Sequence, residues 1–191
     1  MIFYISDLHF GQDTICKRED RAFNDVEEMD RALIKRWNLR VSDDDTVYVI
    51  GDFILKDEKY WGEYLDKLKG RIVLLRGNHD PESFSAEISA RFEKIADYLE
   101  IEDAGRHVIM CHYPIPFHKR DYDKNTWMLY GHVHNSREYE FLRKLRKELK
   151  ATCTNPWRAR GNFINVGCLM PWMDYYPRTL DELISSNGEA E

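Results

Sequence analysis

Short apolar runs alternate with longer amphipathic stretches through the first half of this chain, a rhythm that predicts strands and helices in turn. Residues 2–6 read as a buried strand, followed by a polar loop over 10–20. Val26, Met29, Leu33 and Trp37 recur at helical spacing, and Asn24 with Glu27 makes a capping-box pattern ahead of them, so a helix runs to about residue 40. Residues 46–50 form the next strand. Trp61, Tyr64, Leu65 and Leu68 mark one face of a helix over 58–69, stopped by Gly70. A third strand covers 71–75, and Phe84, Ile88, Phe92 and Ile95 predict a helix over 83–94. The second half changes pace. Residues 98–101 and 107–111 read as strands joined by a turn at 103–106, with a loop over 114–125 and a strand over 126–130. Asn135 and Glu138 repeat the capping pattern and open a helix to about residue 150, with Tyr139, Leu142, Leu145 and Leu149 on its apolar side. Residues 162–166 make a last strand, and the segment from Pro177 adds to an edge. Strand–helix alternation followed by closely spaced strands predicts mixed sheets covered by helices. The ligand site of such sheets lies beyond the carboxyl ends of the strands.

Five polar islands occupy those ends: Asp7-Leu8-His9, Gly51-Asp52, Gly77-Asn78-His79-Asp80, His112, and Gly131-His132-Val133-His134. Asp7 and His9, two apart in an extended segment, point the same way and can converge on one cation, as can His132 and His134. Asp52 follows a strand and a glycine, and its two oxygens can bridge two metals. Asn78 offers an amide oxygen and His112 an imidazole. Taken singly, Gly51-Asp52 is an ordinary turn and His112 an ordinary satisfied histidine. Jointly, five of the seven histidines fall in the islands, in order and after apolar runs, while His107 and His118 stand apart and take no ligand role. Imidazole, carboxylate and amide donors suit first-row divalent ions such as Mn, Fe, Co, Ni or Zn. Two such ions about 3.5–4 Å apart can clamp a phosphoryl group and activate a bridging water.

The bulk numbers narrow the class. At 191 residues one domain is expected, without a cap domain, and 43% hydrophobic with 32% charged residues is an ordinary soluble composition. A net charge of -6 argues against a general polyanion binder. Cys16, Cys111, Cys153 and Cys168 show neither close pairing nor zinc-knuckle spacing, so reduced thiols in a cytoplasmic protein are expected. The N-terminus has no basic leader and reaches Asp7 at once, and no apolar run nears a membrane span.

In this order, the islands resemble the calcineurin-like metallophosphoesterase superfamily, whose pattern is D-x-H, G-D, G-N-H-[DE], a His, then G-H-x-H. The match covers residues 7–134. The resemblance implies a four-layer α/β/β/α sandwich of two mixed sheets flanked by helices. It implies Asp7, His9, Asp52 and His134 around one metal, and Asp52, Asn78, His112 and His132 around a second, with Asp52 bridging. It also implies a hydroxide bridging the ions as the in-line nucleophile, His79 assisting the leaving oxygen, and Asp80 orienting His79 through a hydrogen bond. Protein-serine/threonine phosphatases of the superfamily extend the second island to G-D-x-V-D-R-G and use G-N-H-E. This chain has Gly51-Asp52-Phe53-Ile54-Leu55-Lys56 and Asp80, so it looks closer to the small bacterial and phage phosphoesterases, an affinity that the run Asn165-Val166-Gly167 shares.

Three features bear on the substrate. The loop after His112 carries Lys119 and Arg120, candidates for a phosphate contact. Residues 136–160 hold eight Lys/Arg against three Glu, either a patch steering nucleotides or nucleic acid or simply the solvated face of a helix. Trp157, Trp172, Tyr175 and Tyr176 can stack on bases, or fill a core or an interface. The leading expectation is a binuclear-metal-dependent hydrolase of phosphate mono- or diesters, nucleotides included. The alternatives are a nuclease acting on DNA or RNA, and a non-catalytic protein-binding scaffold. Such scaffolds usually lose ligands or the catalytic His, and this chain keeps both.

Overall fold

The computed structural model describes residues 1–19, 21–152 and 159–189, the side chains of 187–189 excepted. Cys153 and Trp157 lie outside the described residues. Among the described residues eight strands make two four-stranded sheets. In the first, β1 (Ile2–Ile5), β2 (Thr46–Ile50), β3 (Arg71–Leu75) and β4 (Lys94–Ala96) stand in sequence order, each parallel to its neighbour. In the second, β5 (Tyr98–Asp103) and β6 (Arg106–Cys111) form an antiparallel hairpin, and β7 (Thr126–Tyr130) and β8 (Phe163–Asn165) continue parallel. Among the described residues the first sheet is thus mixed only through an antiparallel bridge between Tyr4 and Arg178 at its edge. The helices of the described residues are α1 (Ile15–Arg18), α2 (Val26–Arg40), α3 (Trp61–Leu65), α4 (Ala86–Ser89), α5 (Arg137–Thr152) and α6 (Leu180–Glu189).

Strand alternation builds the layers. Val108, Met110, Leu129 and Ile164 of the second sheet join Phe3, Ile5, Val47 and Val49 of the first in one buried cluster. The alternate residues Ile109, Met128, Tyr130 and Phe163 form a smaller cluster, covered by Tyr139, Leu142, Leu145 and Leu149 of α5. The α2 face Val26, Met29, Leu33 and Trp37 is buried in the larger cluster as its spacing predicts. The result is the α/β/β/α sandwich.

Several boundaries differ from expectation. Both caps fall one residue later than predicted. Asp25, not Asn24, accepts the Glu28 N–H at 2.7 Å, and the Glu28 carboxylate accepts the Asn24 N–H. Ser136, not Asn135, accepts the Glu138 N–H. The helix expected over 58–69 shrinks to one 3-10 turn (Glu58–Tyr60) and α3. Gly62 weakens it, and the Lys67 and Lys69 carbonyls are taken by Asn38 and Trp37 of α2. Over 83–94 only α4 is helical. Phe84 and Phe92 do pack around Trp61, but the Glu93 N–H bonds to the Ile72 carbonyl and starts β4, a strand not foreseen. Helix α6 was also not foreseen, although Thr179 and Glu182 form its capping box with Thr179 N–H to Glu182 at 2.9 Å. Cys16, Cys111 and Cys168 are free thiols. Among the described residues no helix is long and apolar enough to cross a membrane.

Candidate metal centre

Beyond the strand ends the islands are tied to one another through their backbones. The Asp7 N–H donates to Gly51, that of His9 to Asp52, and that of Gly131 to His112, each at 3.0–3.1 Å. This stitching gathers the ends of β1, β2, β6 and β7 into one rim.

The backbone there is not extended. Asp7 (φ 56°), His9 (52°), Asp52 (52°), His132 (67°) and His134 (45°) are all left-handed. Convergence of Asp7 with His9, and of His132 with His134, therefore does not come from the strand periodicity expected of them. It comes from a kinked backbone in which alternate residues take a conformation that L side chains seldom adopt, stored strain of the kind that clusters at functional sites. The island glycines answer to space. A Cβ on Gly77 would stand 2.2 Å from Asp52 Oδ1, and one on Gly131 1.9 Å from Ser6 Oγ and 2.6 Å from Asp7 Oδ2.

The donor atoms fall into two groups. In the first, Asp7, His9, Asp52 and His134 each present a ligand atom within 4.8 Å of the others. His9 Nε2 lies 3.3 Å from His134 Nε2, and His134 Nε2 lies 3.5 Å from Asp7 Oδ1. In the second, Asn78 Oδ1 lies 2.8 Å from His132 Nδ1 and 3.1 Å from His112 Nε2. Asp52 Oδ2 stands between them, 3.7 Å from His9 Nε2 and 3.6 Å from His112 Nε2. Ligands at about 2.0–2.2 Å from a common first-row ion are themselves about 3–3.5 Å apart, so both groups have the right spacing to hold one. The chemistry agrees. Burial, then the nearby Arg21 guanidinium, push His9 down to about 2, leaving a neutral imidazole whose buried Nδ1 has no hydrogen-bond partner. Two facing Nε2 atoms need a shared proton or a cation between them.

A family model for calcineurin-like phosphoesterase matches residues 1–176. The chain belongs to the calcineurin-like phosphoesterase family. It is 36% identical over 155 residues to the uncharacterized protein MJ1445 of Methanocaldococcus jannaschii, covering 79% of this chain and 80% of that one. The Gene 66 protein of Mycobacterium phage L5 is 29% identical over 160 residues, 70% of this chain and 77% of its own. Among solved structures, the Aquifex aeolicus protein of unknown function AQ665 superposes with a TM-score of 0.67 at 26% identity, covering 97% of this chain and 98% of that one.

Around the donors, this member of the family has supports that the islands do not announce. Glu19 contacts His134 Nδ1 with its carboxylate, fixing the ring so that Nε2 faces the first group. Burial alone would lower His134, and Glu19 together with Asp7 more than reverses that, leaving it raised. Arg21, 4% exposed, donates to the carbonyls of Asp7 (2.9 Å) and Leu8 (3.0 Å) and to Glu19, and so holds the first island from beneath. His112 Nδ1 meets the Ile50 carbonyl at 2.9 Å, freeing Nε2 for the second group. Asn165 Nδ2 donates to the His134 carbonyl. Glu19 and His134 come from opposite halves of the chain, Arg21 reaches back across the loop to Asp7 and Leu8, and no local spacing marks either. Asp80 departs from the role implied by resemblance. Its oxygens accept the N–H groups of Asp52, Phe53 and Gly77 at 2.8–2.9 Å, so it braces two islands rather than the His79 ring. His79 is exposed, its backbone N–H bonded to Asp52 Oδ1, its imidazole edge-on to the His9 ring at 5.7 Å and without a hydrogen-bond partner among the described residues.

A cavity of about 660 Å³ opens over the first group and His79, lined also by Gln12, Arg18, Asn135, Ser136 and Leu169. Lys119 and Arg120 are not in its wall. Lys119 pairs with Glu100 at 2.9 Å and Arg120 with Asp123 at 3.0 Å. Nor are the aromatics. Trp172 donates to the Asn165 carbonyl, Tyr175 is buried against Phe23, and Tyr176 lies under Arg36 and Arg178. The basic segment is partly internal, with Arg146 buried and bonded to the Gly161 carbonyl.

Proposed function

We propose that this chain is a binuclear-metal-dependent phosphoesterase hydrolysing phosphate mono- or diesters. One observation carries the reading: Asp52 Oδ2 is shared between two donor groups, as a bridging carboxylate must be. Asp7, His9, Asp52 and His134 would hold one ion, and Asp52, Asn78, His112 and His132 the other. Two divalent ions bound there would supply charge neutralisation of the phosphoryl oxygens and an activated water. The chain's own residues do the rest. The rim fixes the ester beside His79, whose free, exposed imidazole can donate a proton to the leaving oxygen. Asp80 and the island glycines keep the Asp52 turn rigid, and Glu19 and the Ile50 carbonyl fix which nitrogen of His134 and of His112 faces inward. The complete donor set favours catalysis over a scaffold role. For a nuclease, a cationic track would have to lead to the rim, and the wall contains a single Arg and no Lys.

The test is metal analysis beside turnover. Purified protein reconstituted with Mn²⁺ is expected to hold two ions per chain and to hydrolyse bis(p-nitrophenyl) phosphate. Asp52→Asn should lose at least one ion and nearly all turnover. Full activity of that variant, or of chelated wild type, would falsify the reading.

A further inference from the structure

The cavity is larger than the reaction centre needs. At about 660 Å³ it has the size of pockets that enclose whole small molecules, whereas a bare phosphoryl group fills only a corner. Its wall away from His79 comes from the loop after the first island. There the Gln12 N–H bonds to the His9 carbonyl, the Ile15 N–H bonds to the Gln12 carbonyl, and α1 follows. This short turn places Gln12, Ile15 and Arg18 in the wall together. Arg18 is the only Lys or Arg among the described lining residues, is exposed, and has no ion-pair partner among the described residues. By contrast Arg21, three residues on, is buried and fully engaged. Gln12 presents a side-chain carbonyl oxygen that is buried and has no hydrogen-bond donor. A buried acceptor without a donor costs stability until a ligand supplies one.

We infer that Gln12 and Arg18 form a subsite for the non-reacting part of the substrate, selecting phosphate esters that carry a second anionic group and a hydroxyl, the chemistry of a sugar bisphosphate or a nucleotide. This rests on the phosphoesterase reading above. Arg18 takes the second anion through its planar fork of donors, and Gln12 takes the hydroxyl. Ile15, Val133 and Leu169 offer apolar contact to the body between them.

The test compares two chromogenic esters with the Mn²⁺-loaded protein. One is bis(p-nitrophenyl) phosphate, which has no second anion. The other is uridine 3′-phosphate 5′-(p-nitrophenyl phosphate), which has one and keeps a free 2′-hydroxyl. Wild type should prefer the second in kcat/KM. Arg18→Ala should cut that preference by about tenfold, the worth of a charge-assisted contact at an exposed site, through KM rather than kcat. Uridine 3′,5′-bisphosphate titrated calorimetrically should bind the variant about tenfold more weakly. Hydrolysis with unchanged preference and unchanged binding in Arg18→Ala would overturn the subsite and leave the phosphoesterase intact. Wild type that neither hydrolyses either ester nor binds the bisphosphate would overturn both.

Discussion

The imidazole of His79 reaches the cavity without touching Asp80, so its freedom to meet a substrate comes from its backbone, pinned by the Asp52 carboxylate. Removing the ring should therefore leave the donor groups in place. His79→Ala is expected to keep two ions per chain by metal analysis while losing about 10²–10⁴ in kcat. A metal-depleted variant would mean that the ring holds the centre together. Gly131 is constrained in the opposite sense, by what surrounds it. A methyl group there would press on Ser6 Oγ and Asp7 Oδ2, so Gly131→Ala should cost about 1–3 kcal/mol, read as a lowered thermal midpoint. At this scale the candidate donors were legible because each island of Asp, Asn and His follows an apolar run. Glu19 and Arg21 were not, because their importance is defined only by the residues that folding brings to them.

Strands were easier to read than helices, and the reason is local. The buried faces of β2, β3 and β7 are nearly continuous apolar runs, whereas α3 and α4 are short turns, and Phe84 and Phe92 on either side of α4 serve packing around Trp61. The caps slipped by one residue because neighbouring Asn, Asp and Ser are all good N-cap residues, and only the exit path of the preceding loop decides among them. The hairpin of β5 and β6 has its own electrostatic signature. Lys119, with Tyr98 and His107, holds the Glu100 carboxyl down to about 2, against about 4.3 for a free Glu. A depressed folded value adds stability that is complete above the unfolded value and disappears as pH falls through the folded one. The difference in urea stability between wild type and Glu100→Gln should therefore shrink as pH drops from about 5 to about 2. A difference that stays constant across that window would remove Glu100 from the acid response.

The two sheets share one buried cluster, and Tyr4 of β1 reaches across to donate to Asp103 of β5 at 2.8 Å. The Ser6 N–H and carbonyl are likewise bonded to Val166 and Cys168 beyond β8. The larger cluster is built from both halves of the chain, so both should unfold together. Urea transitions followed by tryptophan fluorescence, with Trp37 and Trp61 on the first sheet's side and Trp127 on the second, should coincide with those followed by far-UV circular dichroism. Two separated steps would show that the sheets are independent. The architecture itself was expected from resemblance rather than from periodicity. No pattern in the strands says which sheet each joins, and the switch from β4 to β5 occurs across a single residue, Asp97.

The left-handed turns at Asp7, His9, Asp52, His132 and His134 restrict the alphabet of this rim twice. Coordination alone would accept a thiolate or a longer carboxylate at several of these places. The backbone accepts chiefly Asp, Asn, His and Gly, the residues that tolerate positive φ. Attempts to retune the centre for a softer ion by writing in cysteine would meet resistance from the main chain before the ion's preferences came into play. The practical route to new selectivity runs through the wall at Gln12 and Arg18, where the backbone is ordinary and side chains can be exchanged freely.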